Sequence, residues 1–320
     1  MIAIKYFISL VLLLLLSGCA NEEPNTPLRI ASSPWPGYEP LYLARDINYL
    51  PEDTAILFEL PSSDITMESF RNHSTDLATL TLDETLELLQ DGIKLKILLI
   101  MDISNGGDAV IANPEIKTLS DIKNKRISMV NIPLGLYMLN RLLEHAGLER
   151  KNVSVFPMAE TKMMDFYLQD KADVFITFDP VKTQLVQKGL HVLFDSSDIP
   201  NEIFDLLVVH EDVYQQRKQD ICHIVQQWFN VLSYIDTNRS DSAKRITQRL
   251  RVDVSEFDNM MSGIILPDKA ENRSMLGGKS PGIFTPANKL MDIMLKEKQL
   301  SHRVDISASI DSDFANCYSQ

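Results

Sequence analysis

Between Leu28 and Val209, short apolar runs alternate with stretches of helical spacing, and this alternation constrains the fold more than any other feature of the chain. Strands are expected at Leu28–Ala31, Ile56–Leu60, Leu77–Leu80, Leu95–Met101, Asp108–Ala112, Arg126–Val130, Val153–Phe156, Val174–Phe178, Val192–Phe194 and Phe204–Val209. Helices are expected between them at Leu41–Tyr49, Asp64–Arg71, Asp83–Gln90, Leu134–Ala146, Thr161–Gln169 and Val181–Lys188. Asp64 is placed to cap the second of these helices, and Gly92 and Gly147 to stop the third and fourth. Strand and helix in turn, with short connections, predict an α/β protein of parallel sheets covered by helices. After Val209 the pattern becomes helical: one long amphipathic helix over Asp212–Ile235, then Ser242–Leu250, Ser255–Met260 and Ala287–Lys298, with a Gly/Pro-rich loop from Gly277 to Pro286. Two α/β halves and a helical return imply two lobes, with crossovers near Gly106-Gly107 and near Asp205. No internal repeat is visible.

The N-terminus reads as a targeting segment. Lys5 precedes an apolar run, Phe7–Leu16, that is too short to span a bilayer as a mature helix. The run ends in Leu16-Ser17-Gly18-Cys19, which resembles the bacterial lipobox; the resemblance implies a signal peptide over 1–18 and acylation of Cys19. A polar, proline-bearing tether, 19–27, follows. Ala20 in the place of Asp favours the outer membrane if the cell is Gram-negative. No other apolar stretch approaches transmembrane length.

The body is acidic. The net charge of the whole sequence is −13, and loss of Lys5 with the signal makes it −14. Such a body excludes nucleic acid and anionic membrane surfaces as electrostatic partners. Besides Cys19 there are Cys222 and Cys317. Export permits a disulfide between them, but Cys222 lies in an apolar helical stretch and is read as a buried free thiol.

Four separated stretches carry a family likeness. Ser33-Pro34-Trp35-Pro36-Gly37-Tyr38-Glu39-Pro40 resembles a first strand-end ligand loop. Asp76-Leu77-Ala78 precedes a helix and the Gly92-Ile93-Lys94 turn; Ile116 to Ser128 matches a characteristic run, with Asn124 where Gly is usual; Lys171-Ala172-Asp173 and Phe178-Asp179-Pro180 complete the set. In this order they resemble the nitrate/sulfonate/taurine and thiamine-precursor (SsuA/THI5-like) group of ABC-transporter binding proteins. The resemblance implies a type II periplasmic-binding-protein fold with a two-stranded hinge, with 28–107 and 205–320 forming one lobe and 108–204 the other. It also implies a small-molecule ligand in the interlobe cleft, delivery to an ABC permease and no catalysis. A ligand-sensing subunit for a membrane kinase or cyclase receptor requires the same capture and is the alternative. The fold group also includes a thiamine-pyrimidine synthase with a cysteine-rich motif, which this chain lacks.

In doubly wound sheets ligands bind beyond the carboxyl ends of the strands. That rule selects Ser33, Trp35, Gly37 and Tyr38, then Asp83, Asp108, Gly135, Tyr137, Glu160, Asp179 and Asp205 as ligand-binding candidates. Trp35 and Tyr38 could stack on a ligand face; Asp83 and Asp179 could equally cap helices, and Gly106 and Gly107 suit a hinge. The loop Asn131–Leu136 offers neither hydroxyl nor base. An inventory of acids and aromatics favours a cationic, amine-bearing or heterocyclic ligand over a simple anion. The six histidines are scattered without metal-ligand spacing, no Walker loop or Gly-X-Ser-X-Gly occurs, and no metal or cofactor is expected. The protein is expected to be a monomer on the periplasmic side of the cell envelope.

Overall fold

A computed structural model describes residues 26–311 together with Phe314 and Cys317. The signal segment and Cys19 lie outside the described residues. The first sheet contains β1 (Leu28–Ser32), β2 (Ala55–Glu59), β3 (Leu77–Thr81), β4 (Leu95–Ser104), β10 (Phe204–His210) and β11 (Ile264–Ile265), in the order β11-β4-β10-β3-β1-β2. The second contains β5 (Ala109–Ala112), β6 (Arg126–Val130), β7 (Ser154–Met158), β8 (Val174–Thr177) and β9 (His191–Asp195), in the order β7-β6-β8-β5-β9. In each sheet three parallel strands are followed by one antiparallel strand and its neighbour: β10 runs against β3 and β4, and β5 against β8 and β9. The expected two-lobed α/β architecture is present.

Helices α1 (Glu39–Asp46), α2 (Ser63–Arg71) and α3 (Leu82–Gln90) serve the first sheet; α4 (Pro133–Ala146), α5 (Met163–Leu168) and α6 (Val181–Gln187) serve the second. The return comprises α7 (Glu211–Gln216), α8 (Lys218–Thr237), α9 (Arg239–Leu250), α10 (Val254–Ser262), α11 (Lys269–Leu276) and α12 (Phe284–Lys296). The long helix expected over Asp212–Ile235 is therefore two helices. Arg217, at φ −122°, leaves helical geometry, and its guanidinium turns to Asp220 at 2.5 Å. The break lets α8 bury Ile221, Ile224, Val225, Trp228 and Phe229. Ser62, in extended backbone, stands at the N-cap position of α2 in place of Asp64, which lies two residues further on in the first turn.

The sequence shows no repeat, yet the two lobes share a construction detail. Arg29 at the start of β1 clasps Asp76 before β3 through its backbone N–H (2.8 Å), Nε (3.1 Å) and Nη2 (2.7 Å). Arg126 at the start of β6 clasps Asp173 before β8 through the same three donors at 2.8, 3.1 and 2.7 Å. Both pairs are 47 residues apart. A bidentate guanidinium–carboxylate fork fixes the relative height of two parallel strands, so the same device sets the register of each sheet.

The chain crosses between sheets at 105–108 and 196–203, and hydroxyl groups stitch these segments together. Ser104 Oγ and Ser196 Oγ are 2.8 Å apart, Gly106 N–H donates to Ser196 Oγ at 2.6 Å, and Ser196 N–H donates to the Asp108 carbonyl at 2.9 Å. Behind this hinge, Glu202 accepts from Tyr137 Oη (2.5 Å) and Arg141 Nε (2.8 Å), and pairs with Lys289 of α12. Leu290, Met291 and Met294 of α12 belong to an apolar core that also includes Leu86 of α3 and Leu139 of α4, and so reaches both lobes.

Cys222 and Cys317 form a disulfide, which corrects the reading of Cys222 as a free thiol. Only part of Cys222 is buried, and the chain after α12 returns across α8 to reach it. Among the described residues, no helix is long and apolar enough to cross a membrane.

Candidate functional site: an acid-lined interlobe pocket

Register places three polar residues in a row across the first sheet. Asp205, near the start of β10, lies opposite Thr81 at the end of β3 and opposite Asp102 of β4. Like charges directly across paired strands repel, and here both carboxyls are buried, Asp102 at 0% and Asp205 at 3% exposure. The loop after β1 folds onto this pair through a turn of 3-10 helix, Pro36–Tyr38. Trp35 Nε1 donates to Asp102 Oδ2 at 3.0 Å, and the Tyr38 hydroxyl donates to Asp205 Oδ1. A Cβ on Gly37 would lie 1.8 Å from Asp102 Oδ2, so this position admits the carboxylate only because it is glycine. The Trp35 ring meets Phe178 of the second lobe edge-on, with centroids 5.9 Å apart and planes at 84°.

The space in front of these residues is lined from one side by Ser33, Trp35, Tyr38, Thr81, Glu84 and Asp205, and from the other by Asp108, Ile132, Leu134 and Phe178. Its volume is about 30 Å³, room for about two waters. Ser63, Ile132 and Phe178 also border an outer pocket of about 320 Å³, which reaches Asp64, Asn131 and Glu160. The two volumes form one cleft with a tight inner end. Among all these lining residues there is no Lys, Arg or His.

Burial and mutual repulsion shape the electrostatics. Asp108 is pushed up to about 7, chiefly by burial, with Asp83 and Asp179 adding to the rise while Ser104 and Lys182 oppose it. Glu160 is likewise pushed up to about 7 by burial and by the charge of Asp179. Asp205 and Asp102 are both displaced upward, chiefly by burial; the charge of Asp102 adds to the rise of Asp205, and that of Asp108 to the rise of Asp102, which the Trp35 hydrogen bond opposes. Asp83 and Glu84, also buried, are raised for the same reasons. Against these groups stands Lys182 of α6, whose Nζ donates to the Gly106 carbonyl at 2.7 Å and lies 3.7 Å from Asp179 Oδ2. Glu160 Oε1 and Asp102 Oδ1 have no protein hydrogen-bond partner. Such a cluster holds protons near neutral pH or accepts a positive charge from outside.

Of the sequence candidates, Ser33, Trp35, Tyr38, Asp108 and Asp205 meet at the inner pocket, and Glu160 meets the outer one. Trp35 and Tyr38, which the sequence suggests as exposed loop aromatics, are instead buried, held at 8% and 3% exposure by the acids behind them. The others lie outside the lining. Tyr137 turns to Glu202 behind the hinge. Gly135 lets α4 approach β6, since a Cβ there would lie 2.1 Å from the Val130 carbonyl oxygen. Asp179 is tied to Thr183 through the backbone N–H and the hydroxyl. Asp83 is buried beside Glu84 in the first turn of α3, whose N-cap position is held by Thr81, with Glu84 Oε2 accepting the Thr81 N–H at 3.0 Å. Sequence reasoning missed Glu84 and Asp102. The available signal was an acid closing an apolar run for Asp102, and a Thr-x-x-Glu capping box for Glu84.

A pair of α/β lobes meeting at a hinge around a shared cleft is the type II periplasmic-binding-protein fold. The profile of the NMT1/THI5 like family matches residues 35–228, more than half of the chain, and the chain belongs to that family. The fold is similar to that of the periplasmic aliphatic sulphonate binding protein SsuA from Escherichia coli, at 17% identity and a TM-score of 0.75, over 92% of this chain and 99% of that one. It is equally similar to a ligand-binding component of an ABC-type import system from Staphylococcus aureus, solved with zinc bound, at 12% identity and a TM-score of 0.75 over 91% and 98% of the two chains. The desulfurization enzyme DSZB shares the fold at 13% identity and a TM-score of 0.69, over 91% of this chain and 99% of that one. A comparison with curated protein sequences finds no match.

Proposed function

We propose that the chain is an extracytoplasmic solute-binding protein that captures a small organic cation, an amine or an amine-bearing heterocycle, between its lobes and passes it to an ABC permease. The observation that carries the ligand class is the lining, which combines three aromatic rings and five carboxyl groups with no basic side chain. An ammonium group placed there would compensate buried carboxylates and face Trp35, Tyr38 and Phe178, whose π faces attract cations. An aliphatic sulphonate, the ligand class named for the Escherichia coli protein of similar fold, would find no cationic side chain in that lining. The lining has neither a thiol nor an imidazole to serve as nucleophile or base, and the Cys222–Cys317 disulfide lies outside it; capture without turnover is the fitting output. Acylation of Cys19 would hold the protein at the periplasmic face of the envelope through the tether.

Residues 28–107 with 205–320, and residues 108–204, are then the bodies that open and close. Scattering from the mature protein is expected to show compaction when a bound organic amine is added. Melting should rise by mass action, equivalent to about 2.7 kcal/mol at a hundredfold excess over Kd. The amine should be recovered unchanged. A tight amine ligand that altered neither shape nor stability would falsify interlobe capture.

A further inference from the structure

At the end of β10 remote from the pocket, His210 is sandwiched between two rings. Phe70 lies parallel to it with centroids 3.8 Å apart and planes at 5°, and His73 lies parallel at 3.8 Å and 13°. His210 is buried, whereas His73 is exposed on the turn after α2, at φ 59°. The Phe70 carbonyl accepts both the His73 backbone N–H at 3.0 Å and His210 Nε2 at 2.8 Å. A carbonyl only accepts, so Nε2 carries the proton and Nδ1 of the neutral ring has the lone pair. Asp212, exposed in the first turn of α7, completes the group: one ligand atom each of His73, His210 and Asp212 lies within 4.8 Å of the others. They border an open groove of about 590 Å³ shared with Gly92, Ile93, Lys94 and Gln215.

We propose that His73, His210 and Asp212 bind a divalent transition ion of the zinc class. Two imidazoles and one carboxylate, with the groove leaving a position for water, are a donor set suited to such an ion. The backbone carbonyl holding the second nitrogen of His210 is the outer support that fixes a ligating imidazole's tautomer and direction. In-plane coordination requires the His73 ring to tilt out of the stack, which its exposure allows. Glu211, beside Asp212, is engaged by Lys96 at 3.2 Å and is left out of the set, and the Lys94 ammonium at the groove tempers the affinity. His210 lies five residues along β10 from Asp205, roughly 17 Å at strand rise. The ion would therefore clamp the turn between α2 and β3 to the start of α7 without entering the cleft.

The test is calorimetric titration of Zn²⁺ into the mature, chelator-treated protein carrying no polyhistidine tag. One site with a Kd on the order of micromolar or tighter is expected, and Co²⁺ in its place should give visible d–d absorption. His73→Ala and Asp212→Asn alter exposed side chains and should keep the fold, checked by circular dichroism; each should weaken Zn²⁺ binding about tenfold or more. Absence of binding at about millimolar Zn²⁺ in the wild type, or unchanged binding in both variants, overturns the site. Loss of Zn²⁺ binding in Asp205→Asn alone would place the ion in the cleft and overturn it equally.

Discussion

Between about pH 5 and about pH 8, affinity for an organic cation should rise roughly 100-fold for each carboxyl that gives up its proton on binding. Asp108 and Glu160 are each raised to about 7, and Asp102, Asp205 and Glu84 are raised as well. In the ligand-free protein these groups hold protons that a bound ammonium would displace. The same displacement fixes the sign of the stability change. A carboxyl whose folded pKa lies above its unfolded value binds protons more tightly when folded, so the ligand-free protein loses stability as pH rises from about 4 through about 7. A cationic ligand opposes that loss, and its stabilising effect should be largest at the alkaline end. Calorimetry in buffers of different ionisation enthalpy should detect proton release on binding. Affinity that is flat or falls with rising pH, with no proton release, contradicts the role given to the acid cluster.

Replacing Asp205 with Asn should cost a charged amine about 1.5–3 kcal/mol, roughly ten- to a hundredfold in affinity, and cost a neutral heterocycle less. The substitution also removes one of two carboxyls facing each other across β10 and β4, so the ligand-free variant should melt no lower than the parent at about pH 8. Lost binding with retained stability separates a ligand contact from a structural prop. Trp35→Ala should weaken binding about tenfold or more by removing the ring from the pocket wall. It also takes the N–H donor from Asp102 Oδ2, so some loss of stability should accompany it. Binding of the parent strength in both variants would move the site elsewhere.

The strands were the readable part of this chain because strands covered by helices leave short, contiguous apolar runs; each expected strand is present within a few residues. What escaped has identifiable causes. Helix α11, Lys-Ala-Glu-Asn-Arg-Ser-Met-Leu, has almost no apolar stripe, since the residue it buries completely is Asn272, whose side chain serves Ile100 N–H at 2.7 Å and the Ile100 carbonyl at 3.1 Å. A polar side chain completing a strand's hydrogen bonds is invisible to hydrophobic periodicity. Asp102 was hidden by the two register shifts between β4 and β10, which erase the face alternation that would have marked it as pointing into the cleft. Asp205 was legible because an acid inside a buried strand needs a reason. Tyr137 misled because nearness to the end of β6 says nothing about direction, and the helix turns its ring to Glu202.

The most direct measurement is mass spectrometry of small molecules released from the protein purified from its native envelope, followed by calorimetry with the compound identified. The expected result is an amine or amino-heterocycle, cationic near neutral pH, bound one per chain and more tightly at about pH 8 than at about pH 5. Recovery and tight binding of nitrate, sulfate or an alkanesulfonate would contradict the acid-lined pocket as the determinant of specificity.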